Sequence, residues 1–452
     1  MTTVAELLAR EHTFSPPVSL PRSPWALLVP VVVAGGLGVL AGLAAWTMLV
    51  VVLGAGLATV LLLRLELAAL AVVAASVFED YLVLVTPWAS KGLAVLLIAS
   101  WLLRRSWGRL HDGPRSAVVI AALAFLVMLL LAALVHNNGR PGLDILIRYI
   151  GFLAVLGVLV DTMRGGLAPE RVARTYLWTC VAASVCGLAT FALAVDRRVV
   201  GPIGDANDLA FFLVAAVPFA LVLRGRSSRP WIYDIALVVI LAAILGTLSR
   251  GALVGLAAML LVAVVARVIQ LRTAALVLVS IVTAAAILVG AFPDLIRVSL
   301  ARKAAVADQN VDERFDLWTA AGEMARESPV FGQGPGSFGL FHQDYLDRLP
   351  VDVTHRLDVA HNTYLEVLAE LGFLGLITFL VMIVIAASGA WMQWRRSGDR
   401  LAGGVFVALV GTAVTATFVT EQYFLPLWLM AAMAGALAHP PETTSDLLRT
   451  ST

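Results

Sequence analysis

The sequence predicts an all-α, polytopic membrane protein, and three observations lead to that fold class. Of the 452 residues, 60% are hydrophobic and only 14% are charged, whereas a soluble domain is nearer half apolar and a quarter charged. Runs of about 18 or more apolar residues recur along the chain, and each is long enough to cross a bilayer as a helix. One long polar interval, about residues 292–362, interrupts this pattern. Nothing in the composition points to nucleic acid as a partner.

Fourteen apolar runs are candidate transmembrane helices. The segment Gly246–Gly251 is interpreted as a turn, because a single helix over 231–267 would be roughly twice as long as a bilayer requires. The candidate helices are 25–42, 45–63, 66–85, 91–104, 117–135, 143–161, 175–195, 208–223, 231–247, 251–267, 273–292, 362–388, 402–419 and 423–438.

These helices divide the chain into five parts. The first 24 residues are polar and proline-rich and lack the apolar core of a cleavable signal, so we expect them to remain as a tail. The predicted parts are the tail 1–24, eleven helices within 25–292, a large loop at 293–361, three helices within 362–438 and a second tail at 439–452.

The cationic residues between the helices predict the orientation. With the N-terminus in the cytoplasm, the inner segments hold nineteen arginines, whereas the short outer loops hold five cationic residues. Inner loops of membrane proteins are enriched in Lys and Arg. Both termini are therefore expected to be cytoplasmic, and the 293–361 loop is expected to lie outside.

Polar residues that topology does not explain gather on the predicted outer face. Arg197 and Arg198 depart from the inner bias and could capture an anion. Asn207 lies in a segment rich in Gly, Asp and Asn at a helix start, where capping alone would account for such residues. Arg250 lies in a turn between two helices; it could reach lipid phosphates, or its guanidinium could bind a diphosphate. Arg148 lies about six residues inside a helix, and a charge within the membrane is a functional candidate by default.

The large loop is predicted to contain a short amphipathic helix. Asn310 with Glu313 resembles a helix start, and Ser328-Pro329 ends the segment. Arg314 and Trp318 are four residues apart and share a face of this helix, which could equally be an interfacial anchor. The glycines of 332–336 could cradle phosphate, but they follow no strand and are typical of a turn.

His361 closes the loop at the start of the next helix. A histidine there can serve simply as a cap or a packed residue. The positive helix N-terminus also disfavours imidazolium, so the ring would be neutral near pH 7 and able to accept a proton. His342 and His355 lie in the same loop and are competing candidates. The outer face shows no spacing typical of a metal site, so none is predicted.

Four short motifs, taken in order, resemble the O-antigen ligase/polymerase (Wzy-type) superfamily of bacterial membrane glycosyltransferases. The resemblance covers about residues 200–390, and members of that family are commonly drawn with about 12 transmembrane helices, against the 14 candidates here. The motifs are Gly204-Asp-Ala-Asn207-Asp-Leu-Ala210, Leu248-Ser-Arg250-Gly-Ala252, Arg314 with Trp318 and then Gly332-Gln-Gly334-Pro-Gly336, and His361-Asn-Thr-Tyr364-Leu365 leading into Glu370-Leu-Gly-Phe-Leu-Gly375.

The resemblance implies a GT-C-like helical bundle in the bacterial plasma membrane and a metal-independent transferase without a cofactor. Such an enzyme moves a glycan from an undecaprenyl-diphosphate carrier to an acceptor hydroxyl on a glycan, lipid or protein at the outer leaflet. Arg250, Arg314 and His361 would be catalytic. Substrate would be bound by Asn207, Trp318, Tyr364, Arg148, Arg197 and Arg198.

Two alternatives remain at this point. Within the family, a polymerase extends another lipid-linked repeat whereas a ligase uses a different acceptor, and the sequence does not separate them. Outside it, the chain could be a transporter or flippase of a polyprenyl-linked or anionic solute. Transporters favour broken helices and sites at the membrane midplane. Here the polar residues instead lie at one surface, which favours an enzyme.

Overall fold

The fold is described by a computed structural model, which covers residues 45–86, 88–106, 116–305, 307–348 and 359–438. Within these ranges every regular element is helical. The helices are α1 (Ala45–Leu63), α2 (Leu65–Ala75), α3 (Glu79–Val85), α4 (Ala89–Ser106), α5 (Ala117–Val135), α6 (Gly139–Arg164), α7 (Pro169–Ala192), α8 (Ala206–Arg224), α9 (Pro230–Thr247), α10 (Arg250–Val265), α11 (Leu271–Ala291), α12 (Pro293–Ala305), α13 (Ala307–Glu327), α14 (Ser337–Leu346), α15 (Thr363–Ser397), α16 (Arg400–Thr415) and α17 (Leu425–Leu437).

The prediction of a polytopic helical membrane protein is confirmed. Seven helices of the described residues are long and apolar enough to cross a membrane, and up to nine spans result if two pairs of consecutive helices are each counted as one. Helices α10, α16 and α17 are apolar but shorter. The predicted span 25–42 and the tails 1–24 and 439–452 lie outside the described residues.

Most predicted helix positions agree with the structure, and two regions differ. The turn at 246–251 is present, because α9 ends at Thr247 and α10 begins at Arg250. The predicted span 66–85 is two helices, α2 and α3. The large loop holds α12, α13 and α14 rather than one short helix, and α13 is 21 residues long.

The chain divides into two compact units at residue 60. In the first unit the described residues form most of α1, an apolar helix of 19 residues. The second unit, from Leu61 onward, contains all the residues discussed below.

Helix α8 lies at the centre of the second unit and is the most buried of the seven spans. In an apolar stretch of 18 of its residues, 83% are buried inside the protein. Small residues let α10 and α16 pack closely. A Cβ at Gly255 would collide with Thr415 Oγ1 and would lie 3.0 Å from the carbonyl oxygen of Gly411. Close approach through small residues is the usual way in which transmembrane helices associate.

The predicted inner and outer loops meet at opposite ends of α8. At its C-terminal end, the Arg226 guanidinium bonds to Glu170 at 2.9 Å and to Asp399 at 3.1 Å, which joins three predicted inner loops. At its N-terminal end, Asp205 caps the helix by accepting bonds from the backbone N–H groups of Asn207 and Asp208. We call these the Arg226 end and the Asp205 end. Which membrane face each end meets remains a prediction.

Helix α15 folds sharply at Gly372, which separates a short first segment, 363–371, from the long span that follows. The rings of Tyr364 and Phe379 lie 6.4 Å apart, although fifteen residues of straight helix extend over about 22 Å. Gly372 has φ 67°, and a Cβ there would lie 2.5 Å from the carbonyl group of Val330. The N–H of Gly334 donates to the Glu370 carbonyl at 2.8 Å. The glycine loop at 332–336 therefore wraps the end of this short helix, as a turn would.

We expect Gly372→Ala to destabilise the fold, because an alanine would adopt a left-handed backbone and collide with the segment at Val330. The backbone strain alone costs about 1–3 kcal/mol. Unfolding in detergent, followed by heat or denaturant, measures the effect.

The matched control for this variant is Gly322→Ala, in the interior of α13. No heavy atom lies within 4 Å of its built Cβ, so alanine there should stabilise by about 0.5–1 kcal/mol. Equal stability of Gly372→Ala and the wild type would contradict the account of the bend.

Candidate functional site

The turn at residues 416–421, between α16 and α17, organises the Asp205 end. The Thr363 N–H donates to the carbonyl oxygens of Ala416 at 3.0 Å and Val419 at 2.9 Å. The Thr363 hydroxyl donates to the Val419 oxygen at 2.9 Å and accepts from the Glu421 N–H at 2.8 Å. These bonds fix the start of α15 against the turn.

His361 precedes this start and has a left-handed backbone with φ 49°. The next residue, Asn362, caps α15 by accepting from the N–H groups of Tyr364 and Leu365. The preceding Ala360 N–H donates to a carboxylate oxygen of Glu366 at 3.0 Å. The backbone on both sides of the imidazole is therefore fixed by hydrogen bonds, which determines where the ring lies.

Arg314 and Trp318 dock α13 onto the same region. The Arg314 guanidinium donates to the Phe418 carbonyl at 3.0 Å. One turn later, the Trp318 indole N–H donates to the Ala360 carbonyl at 3.0 Å. The shared face predicted for these two side chains thus meets the turn and the backbone before His361.

Arg250 reaches this region from the turn between α9 and α10. It is the first residue of α10, and a Cβ on the following Gly251 would collide with the Phe418 side chain. Only a residue without a side chain permits this approach. Arg314 therefore bonds the Phe418 carbonyl, while the residue next to Arg250 packs against the Phe418 side chain.

Arg198 adds a third guanidinium. Its Nε donates to the Thr247 carbonyl at 2.7 Å, and its Nη2 donates to the Asn207 side-chain oxygen at 3.2 Å. The predicted substrate residues Arg198 and Asn207 are therefore in direct contact. They lie between the end of α9 and the start of α8.

The charges of this site act on one another. Burial is the main cause that lowers the pKa of the Arg314 guanidinium; the Asp205 carboxylate opposes it, and the charges of Arg198 and Arg250 add to it. Burial and the Arg314 charge lower the pKa of His361 from 6.5 to about 4, again opposed by Asp205. The charges of Asp205, Arg198 and Arg250 thus act on Arg314, and those of Arg314 and Asp205 act on His361. The imidazole is neutral at pH 7.

A carboxyl pair that the sequence reasoning missed lies beside this cluster. Glu421 is only 1% exposed, and no donor in the described ranges reaches either of its carboxylate oxygens. Its carboxyl group lies within hydrogen-bonding distance of that of Asp208. Burial, the Asp208 carboxyl and the Asp205 charge raise the pKa of Glu421 well above its usual range. Burial and the two neighbouring acids therefore favour the protonated form of Glu421 over its ionised form.

Two further buried carboxylates hold the turn to the short helix of α15. Glu366 accepts from the Gln422 amide at 3.0 Å and from the Thr420 hydroxyl at 3.0 Å. Glu370 accepts from the Tyr423 hydroxyl at 3.2 Å. The signal for Glu366, Glu370 and Glu421 was available in the sequence, because acidic residues inside or between apolar segments are rare and costly.

The structure does not bring every predicted site residue to this cluster. The Tyr364 hydroxyl donates to the Ala413 carbonyl at 2.6 Å, so the side chain packs against α16. The Arg148 guanidinium lies over the Tyr423 ring, 5.6 Å from its centroid. The Arg197 side chain is exposed, and its carbonyl accepts from Ser299 at 2.6 Å.

Of the competing histidines, His342 is buried and stacks on Phe338, with ring centroids 5.4 Å apart. This packing accounts for its presence. His355 lies outside the described residues.

The fold and the site define a multi-pass helical membrane protein with a cationic cluster and a neutral histidine at one end of its bundle. Residues 235–380 match the family described as O-antigen ligase. The predicted resemblance to the O-antigen ligase/polymerase superfamily is therefore confirmed over this part of the chain. The match includes Arg250, Arg314 and His361, whereas Arg198 and Asn207 precede it. No curated protein matches the chain significantly.

We expect Glu421→Gln to change how stability depends on pH. The folded wild type retains a proton at Glu421 that the unfolded chain releases above its ordinary pKa of 4.5. The wild-type free energy of unfolding should therefore fall as the pH rises from 4.5 towards the raised folded-state pKa, by at most about 1.4 kcal/mol for each pH unit. Glutamine cannot ionise, and its amide can donate to Asp208. The advantage of the variant in melting temperature should grow between about pH 5 and pH 8.

The control for this measurement is Glu323→Gln, whose carboxylate is partly exposed and pairs with Arg326 at the surface. Its difference from the wild type should hardly change over the same range. A pH-independent difference for Glu421→Gln would show that the carboxyl pair holds no extra proton.

Proposed function

We propose that this protein transfers a glycan from a polyprenyl-diphosphate carrier to an acceptor hydroxyl. The observation that supports it is a group of three guanidiniums at one end of the bundle, in which the charges of Arg198 and Arg250 act on Arg314 and that of Arg314 acts on the neutral His361 imidazole. The family match supports a glycosyl-transferring enzyme, and the cluster supplies the charge that such a donor requires.

The guanidiniums act on the leaving group. When the acceptor oxygen attacks the anomeric carbon, the bond from that carbon to the diphosphate oxygen breaks, and its electron pair stays on the diphosphate. Guanidinium is always charged and binds phosphate oxygens through paired N–H donors. Arg250 and Arg314 are placed to stabilise this developing charge, which is how fixed positive groups lower a barrier. No nucleotide is needed, because the donor is already activated.

His361 acts on the acceptor. The ring is neutral at pH 7, so one of its two nitrogens carries no hydrogen. That nitrogen can accept the hydrogen bond, or the proton, of the attacking hydroxyl. A free-state pKa of about 4 makes it a weak base before the donor binds. The diphosphate would offset the Arg314 charge and raise that pKa. Donor binding would thus prepare the histidine for the acceptor.

The remaining residues position the substrates. Asn207 holds Arg198 through its side-chain oxygen, so it orients one guanidinium and has amide donors left for the donor molecule. Trp318 is fixed by its indole N–H and offers an aromatic face on which a sugar ring can stack. Arg148, Arg197 and Tyr364 stay as weaker proposals, because their side chains have other surroundings.

The test of this proposal is to purify the protein with bilayer lipid and to add a lipid-linked oligosaccharide. Lengthening of the carrier-bound glycan indicates a polymerase, and its movement to another acceptor indicates a ligase. Passage of the intact lipid-linked substrate across a vesicle membrane, with no new glycosidic bond, would support the transporter instead.

Arg250→Ala and Arg314→Ala should each lower the transfer rate by about 100–1,000-fold, because each removes a charge that stabilises the leaving diphosphate. The measurement is transfer of glycan by equal amounts of purified, folded protein. Arg326→Ala is the control on α13, since Arg326 is exposed and forms a surface pair with Glu323 that contributes little to stability. Full activity in both active-site variants would defeat the assignment.

Protonation of His361 should not lower kcat/KM as the pH falls from about 7.5 to 5.5. This parameter reports the free enzyme, in which the His361 pKa is about 4, so the acid limb should lie near that value rather than near 6.5. The limb of kcat, which reports the bound state, should lie at higher pH. In His361→Gln the residual activity should no longer fall at acid pH with the pKa of His361. A wild-type acid limb of kcat/KM centred near 6.5 would contradict a buried imidazole beside Arg314.

A further inference from the structure

A second site candidate lies at the Arg226 end, far from the cluster described above. A groove of about 370 Å³ opens between α8, α10 and α16. Arg250 begins α10 and Arg267 follows its C-terminus, so the groove and the Arg250 cluster lie at opposite ends of a helix about 24 Å long.

The inner wall of the groove is apolar. Leu221 and Val222 from α8, Met259 and Leu260 from α10, and Val407 from α16 line it. A cleft of this size is within the range of ligand-binding pockets, about 300–1,000 Å³. This wall suits a hydrocarbon chain.

The mouth of the groove is cationic. Arg267 and Arg400 both line it, together with the polar side chains of Gln270 and Thr273. Both arginines are exposed, and neither forms an ion pair with any residue in the described ranges. The nearest acid in sequence, Asp399, is already bonded to Arg226 at 3.1 Å. Two guanidiniums without acidic partners attract a phosphate.

The position of Arg267 is fixed by its backbone. It has φ 59°, a left-handed conformation that is uncommon for a residue with a long side chain. The bonds from Arg267 N–H to the Val264 carbonyl at 2.9 Å and from Ile269 N–H to the Ala263 carbonyl at 3.1 Å hold the chain in this turn. Trp394 also lines the groove, and tryptophan is enriched at the depth of lipid headgroups.

We propose that this groove binds an anionic membrane phospholipid, with its phosphate between Arg267 and Arg400 and an acyl chain along the apolar wall. The combination of two exposed arginines at the mouth and an apolar inner wall fits an amphiphile with a negative head. The predicted inner position of these arginines agrees with it, since the cytoplasmic leaflet is rich in anionic lipids. The site is independent of the proposed glycan transfer.

Native mass spectrometry of the full chain in detergent tests this proposal, with phosphatidylglycerol and phosphatidylcholine of identical acyl chains added in turn. The wild type should retain one phosphatidylglycerol with an affinity on the order of tenfold above that for phosphatidylcholine, because only the former has a net negative head. Equal retention of the two lipids by the wild type would overturn the proposal without any variant.

The double variant Arg267→Gln with Arg400→Gln should lose this preference. The matched control is Arg272→Gln with Arg396→Gln, which removes two exposed arginines near the same end that do not line the groove. If arginines at this end attract lipid only through their summed charge, both double variants will lose the preference equally, and the site is refuted.

A third arm separates the lipid from free phosphate. Inorganic phosphate at millimolar concentration should not displace the retained phosphatidylglycerol, because it lacks the chain that occupies the apolar wall. Displacement would show that the mouth is only an anion site.

Discussion

The site depends on the carbonyl oxygens of one turn. The 416–421 turn accepts hydrogen bonds from Thr363 and from the Arg314 guanidinium. The start of α15, which positions His361, and helix α13, which supplies a cation, are thus both fixed to the same few peptide groups. Because Gly251 has no side chain, the start of α10, which carries Arg250, can lie against Phe418 of this turn. The backbone therefore determines the separation of the guanidiniums and the imidazole, because long arginine side chains alone could not hold it.

Charge in this region is limited by the burial of a carboxyl group, which favours the neutral form of Glu421. A buried carboxylate without donors is costly unless it is neutralised. The raised pKa of Glu421 favours its neutral form, which limits the negative charge beside the three guanidiniums. Asp205 is exposed, and one of its carboxylate oxygens accepts hydrogen bonds from the N-terminal N–H groups of α8. The cluster thus remains cationic although three acidic residues lie beside it.

The sequence could predict the helices and the cluster because both follow from local patterns. Predicted spans at 45–63 and 117–135 agree with α1 and α5 to the residue, since apolar runs of that length have one stable form in a bilayer. The motif around Arg250 was recognisable because a tight turn must separate two spans. In contrast, Tyr364 belongs to a motif near the site and yet faces Ala413. Which side of a helix a residue faces depends on the tertiary packing around it.

The bend at Gly372 shows most clearly what local pattern cannot provide. Despite Glu366 and Glu370, the run 362–388 is apolar enough to predict one helix, and nothing in its periodicity marks a bend. The break becomes necessary only when the segment from Pro329 to Gly334 is placed beside it, where Phe373 N–H donates to the Pro329 carbonyl at 2.8 Å. Residues some forty positions apart must therefore meet before a left-handed glycine is favourable. Asn362 caps the start of the short helix 363–371. The direction of this helix therefore also sets where the His361 backbone lies. A contact distant in sequence thus positions the imidazole, which is why the residue could be chosen from the motif but its surroundings could not.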